Sequence, residues 1–133
     1  MAGVVADTHA VLWYIFDDPH LSSFAATVMQ TASITGDPIH VPTVCLIEAT
    51  YLMEKGKVPV VALDRLTTAL RSPDSGFRAA PLDLAVALHL RRIPRSTVPD
   101  MPDRIIAATA AALSLPLVTR DGRIRAANVT TIW

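Results

Sequence analysis

Asp7, Glu48, Asp103 and Asp121 stand far apart in the chain, yet each falls where an apolar, strand-like run ends or a helix-like run begins. In an open α/β fold those seams come together at the carboxyl ends of the strands, where such folds build their ligand crevices. Carboxylates gathered into one confined volume raise each other's pKa and cannot all stay ionised without a compensating cation. A divalent metal is the simplest such cation, and oxygen ligands alone suit Mg2+ or Mn2+.

Each acid also has a plainer use. Asp7 could do no more than cap the following helix, a task for which Thr8 is equally suited. Glu48 interrupts a helix that is otherwise apolar around much of its circumference, so its carboxylate needs an ion, a salt bridge or solvent. Asp100-Met101-Pro102-Asp103 resembles a capping box with proline in the first turn. Both roles coexist if Asp100 caps while Asp103 projects toward the crevice, with Arg104 beside it to neutralise charge or meet phosphate. Asp121 lies in an Arg120-Asp121-Gly122 turn, a common place for aspartate without function, and its position just after Leu117-Val118-Thr119 is what singles it out.

Other chemistries lack their residues. His9, His20, His40 and His89 show no paired spacing and no cysteine cluster accompanies them, which argues against structural zinc, although His9 is near enough to Asp7 to approach the site. No phosphate-cradling glycine loop, Walker A sequence or G-x-S-x-G occurs. The single cysteine, Cys45, lies inside an apolar helical pattern and reads as a small core residue.

The elements that must position these acids follow from periodicity and turn residues. Val4-Val5-Ala6 reads as a first strand, ended by Asp7 and followed by a helix through Ile15 that Thr8 can cap. A second helix, capped by Ser22 or Ser23, runs toward Thr31, and Gly36-Asp37-Pro38 turns the chain into strand Ile39-His40-Val41. Thr43 opens a helix that Gly56 stops, another helix follows Pro59, and Ser72 to Gly76 is a loop. Phe77 to Leu82 reads as strand three, Asp83 caps a helix ending near Ile93-Pro94, and Pro102 and Asp103 begin a helix to Leu113. Leu117-Val118-Thr119 is strand four, Arg120-Asp121-Gly122 a tight turn, and Val129 to Trp133 a last strand. Strands alternating with helices predict an α/β fold, a three-layer α/β/α sandwich with a mainly parallel central sheet.

With 133 residues the chain forms one domain, 1–133, with room for a hydrophobic core and not for two. Apolar residues make up 51% and the mean hydropathy is +0.38, while the unbroken apolar runs, such as Ala10 to Phe16, are too short to span a bilayer. The excess apolar surface is expected to meet another protein. The first residues lack a basic lead before their apolar run, so a cytoplasmic protein is expected. The net charge of zero hides a polarity: residues 91–133 carry seven arginines and only three acids. Any polyanion contact would therefore be local and cation-assisted, and a merely solvated arginine face is the plainer alternative.

Asp7-Thr8-His9-Ala10-Val11-Leu12-Trp13, Glu48, Asp100-Met101-Pro102-Asp103-Arg104-Ile105-Ile106-Ala107-Ala108 and Leu117-Val118-Thr119-Arg120-Asp121 together closely resemble a PIN domain of the kind found in VapC toxins of VapBC toxin–antitoxin pairs. The resemblance covers essentially the whole length. Where family members often carry a histidine and a basic residue before the third acid's segment, this chain has Val98-Pro99. The resemblance implies a metal-dependent endoribonuclease in which Asp7, Glu48, Asp103 and Asp121 hold Mg2+ or Mn2+. Thr8 and Thr119 then match hydroxyl positions beside the metal, and Asp100 an accessory acid. It further implies an RNA substrate and a cognate VapB-like antitoxin; Arg104, Arg120, Arg123 and Arg125 are candidates for contacts to the RNA backbone, and a homodimer formed through apolar helices would suit the hydrophobic composition. Two other readings compete: a Mg-dependent phosphatase-like domain, which would want a second acid where Thr8-His9 stands, and a catalytically silent partner-binding module.

Overall fold

Val4, Val5 and Ala6 form strand β1 (Val4–Ala6), and all three side chains are buried. Successive strand residues point to opposite faces, so β1 is covered on both sides, as the middle layer of three must be. The computed structural model describes residues 3–133. Its further strands are β2 (Ile39–Pro42), β3 (Phe77–Ala80), β4 (Leu117–Val118) and β5 (Thr131–Ile132), in the order β3-β2-β1-β4-β5 with every pairing parallel. The expected mainly parallel α/β sandwich is thus observed, with a wholly parallel sheet among the described residues.

The helices are α1 (Thr8–Ile15), α2 (Ser23–Thr35), α3 (Val44–Glu54), α4 (Val60–Arg71), α5 (Leu84–His89), α6 (Met101–Leu113) and α7 (Gly122–Arg125), with a 3-10 turn at Leu90–Arg92. Helix α3 packs on α1, α4 and α6, and α5 packs on α6. The core joins Val4, Val5, Ile39, Val41 and Leu117 of the sheet to Val11, Met29, Cys45, Leu66 and Ile106 of the helices. Among the described residues no helix is long and apolar enough to cross a membrane.

Several local expectations are corrected. Helix α2 continues past Thr31 to Thr35, where Gly36 takes the left-handed conformation (φ +82°) that ends helices at little cost. Strand β3 stops at Ala80 because Pro81 has no N–H to extend the ladder. The tight turn expected at Arg120-Asp121-Gly122 instead opens α7, and β5 is shorter than Val129 to Trp133.

Candidate active site

Strand order places the site. From β1 the chain builds outward to β2 and β3 on one side, then returns to lay β4 and β5 on the other, so a crevice opens at the carboxyl ends of β1 and β4. The register sets Val5 beside Leu117 and Ala6 beside Val118, and Asp7 N donates to Val118 O at 3.1 Å. Asp7 and Thr119, the residues just beyond the two strands, are neighbours for that reason.

Asp7 caps α1 itself: its Oδ1 accepts from Ala10 N at 2.9 Å. The cap expected of Thr8 is therefore not made. Thr8 is buried and its Oγ1 donates to Glu48 Oε1 at 2.6 Å, tying α1 to α3 across forty residues of sequence. Asp100 occupies the N-cap position of α6 without a side-chain capping bond, so the capping box is not formed; Asp103 lies in the first turn of that helix. Asp121 Oδ1 accepts from Arg123 N at 2.9 Å, and Asp121 N donates to Thr119 Oγ1 at 3.0 Å.

The side chains of Asp7, Glu48, Asp100, Asp103 and Asp121 line one cleft of about 400 Å³, together with Thr8, His9, Trp13, Ile106 and Arg120. The Asp7 carboxyl is raised above its usual range, mainly by burial; the Thr119 hydroxyl and Ala10 N–H pull it back, His9 lowers it and Glu48 raises it. The Asp103 carboxyl is pushed up to about 6 by burial and then by Glu48, Asp121, Asp100 and Asp7. Beneath them Cys45 is buried, and its thiol is driven up chiefly by desolvation and further by the carboxylates of Asp7, Glu48 and Asp103. Five carboxylates thus act on one another here against a single arginine of the cleft wall, Arg120, which is the electrostatic setting a divalent ion relieves. The donor set of carboxylates and hydroxyls fits a hard divalent ion. Among the described residues no three His, Cys, Asp or Glu side chains are already drawn into a metal-ligating group.

The four arginines expected at the substrate divide. Arg120 is on the cleft wall. Arg104 turns inward, its Nε and one terminal nitrogen donating to Ile93 O and Leu90 O at 2.9–3.1 Å. Arg123 faces Asp121 at 3.6 Å, and Arg125 Nε donates to Thr131 Oγ1 at 3.2 Å. Trp13 and Ile106 of the cleft wall were not singled out by sequence reasoning, because isolated apolar residues in helical patterns read as core.

The sequence pattern of the PIN domain matches residues 4–129. The chain belongs to the PIN-domain family. Ribonuclease VapC22 of Mycobacterium tuberculosis is 29% identical to it over the full length of both proteins. Among solved structures this PIN domain is similar to a chain of VapBC2 from Rickettsia felis bound to a promoter DNA fragment (TM-score 0.72, 15% identity, covering 97% of this chain and 96% of that one). A toxin–antitoxin complex from Klebsiella pneumoniae (0.67, 18%, 98% and 97%) and FitAcB from Neisseria gonorrhoeae (0.65, 21%, 98% and 96%) share the fold as well.

Proposed function

We propose that this PIN domain is a metal-dependent endoribonuclease, the toxin of a two-component toxin–antitoxin system, hydrolysing RNA phosphodiester bonds in the cytoplasm. The observation that carries the reading is the arrival of Asp7, Glu48, Asp103 and Asp121, from four separate elements, at one cleft. A full-length relative that is a ribonuclease, and structural neighbours that are toxin–antitoxin complexes, support it.

Asp7, Asp103 and Asp121, with Glu48 directly or through water, would hold one or two Mg2+ or Mn2+ ions. When bound, such ions polarise a phosphoryl oxygen and lower the pKa of water from about 15.7 toward 7. The protein's own part is orientation. Thr8 fixes one oxygen of Glu48, and Thr119 receives Asp121 N while restraining the rise of the Asp7 pKa. Asp7, locked as a helix cap through one oxygen, keeps acceptor capacity for the cleft. Asp100, exposed at the rim, adds negative charge that raises Asp103.

An antitoxin and a second copy of the chain are the proposed protein partners. Ile47, Tyr51, Val60 and Val61 of α3 and α4 are between 45% and 60% exposed, an apolar surface that a partner would cover. The functional test is cleavage of single-stranded RNA by the purified protein. Activity is expected with Mg2+ or Mn2+ and lost with chelator or with Asp7→Asn, in which asparagine still caps α1. Full activity in Asp7→Asn would refute its role.

A further inference from the structure

Both tryptophans of the chain meet beside the carboxylate cleft: the Trp13 and Trp133 rings lie edge to face with centroids 5.9 Å apart. His20 stacks near-parallel on Trp13 at 5.4 Å, and His9 approaches it tilted at the same distance. The Arg120 guanidinium carbon sits over the Trp13 ring, 5.0 Å from its centre. Arg120 therefore rests on an aromatic seat that three other rings hold in place.

Its charge is otherwise unspent. Arg120 shares the cleft with five acids, yet among the described residues no ion pair and no hydrogen bond includes it. Arg104, Arg123 and Arg125 differ, since each has donors or charge committed to a carbonyl, a carboxylate or a hydroxyl of the protein itself. A cation held by a ring face keeps its planar fork of donors open, and that fork matches a phosphate in two-point contact.

We propose that Arg120 receives a backbone phosphate of the RNA next to the bond that is cut, and that Trp13 is a positioning residue for it, braced by Trp133 and His20. This rests on the ribonuclease reading above. An acidic cleft repels a polyanion, and a guanidinium prevented from collapsing onto those acids offers the strand a fixed point of attraction at their edge.

Because the chain's two tryptophans both lie in this cluster, tryptophan emission excited beyond the tyrosine absorption reports on it alone. The cleavage-silent Asp7→Asn chain is titrated with a short single-stranded RNA in Mn2+, and a saturable change in tryptophan emission is expected. Adding Arg120→Gln should weaken binding about 10-fold and reduce the slope of log affinity against log salt by about one. In the cleaving protein Arg120→Gln should raise KM with little change in kcat. Trp13→Leu should weaken binding several-fold, Trp13→Phe should restore most of it, and Trp13→Leu should cost nothing further once Arg120 is Gln. Where Trp13→Leu fails to fold, Trp13→Met, which fills the space with a flexible side chain and no ring face, carries the same test in both Arg120 backgrounds. RNA cleavage that persists with unchanged KM and salt slope in Arg120→Gln overturns the inference and leaves the ribonuclease reading standing. Additive losses from Trp13 and Arg120 overturn the positioning role. A protein that neither binds nor cuts RNA removes the ribonuclease reading and this inference with it.

Discussion

Replacing Asp103 with asparagine should stabilise the metal-free protein at neutral pH. The Asp103 carboxyl is raised from 3.8 to about 6, first by burial and then by its neighbouring carboxylates. A folded-state pKa above the unfolded one means that the group's contribution to stability is fully present below pH 3.8 and is lost as pH rises through about 6. Fully transmitted, a rise of that size would cost the ionised form about 3 kcal/mol at pH 7.5. Solvent screening in the half-open cleft, and the welcome a helix N-terminus gives a negative charge, reduce the net expectation to roughly 1 kcal/mol. For a domain of this length that is about 3–5 °C in Tm. Thermal melts in chelator should therefore show Asp103→Asn above wild type at pH 7.5 and level with it near pH 4. Saturating Mn2+ should reverse the order, since a ligand at a hundred times its Kd stabilises by about 2.7 kcal/mol and the variant binds it less well. A variant that is less stable than wild type at every pH in chelator would refute the claim that these acids strain one another.

Thr8→Val keeps the buried shape but removes the 2.6 Å hydrogen bond that orients Glu48, so Mn2+ affinity measured by calorimetry should fall about 10-fold with the fold intact. Arg104→Ala should cost about 2–3 kcal/mol in urea denaturation, because it frees the Leu90 and Ile93 carbonyls, and should leave the salt dependence of RNA binding unchanged. Cys45, buried and with its thiol driven up, should resist thiol reagents at pH 8 in the native protein and react at once in denaturant; fast native labelling would contradict its placement.

The acids of the cleft were legible in the sequence because Asp7 and Asp121 follow apolar strands and open helices while Glu48 and Asp103 lie in the early turns of α3 and α6, and strand order then brings those helix starts together. What escaped was set by long-range partners. Asp7 and Thr8 are both capping residues by type, and the partner that engages Thr8 while Asp7 caps, Glu48, arrives on α3 from forty residues away. Asp100 and Asp103 have the spacing of a capping box, yet Asp103 faces the cleft and the reciprocal bond is not made. Arg104 follows a site acid and so suggested a substrate contact, while the carbonyls that claim it belong to the turn ending at Ile93. The aromatic seat of Arg120 needs the end of β5 to lie beside α1, and no local pattern in either segment encodes that.

The most direct test of the central claim is anomalous scattering from crystals grown with Mn2+. A peak in the cleft among the carboxylates of Asp7, Asp103 and Asp121, absent from Asp7→Asn crystals, is the predicted result. Saturating Mn2+ that leaves the cleft without a peak would contradict it.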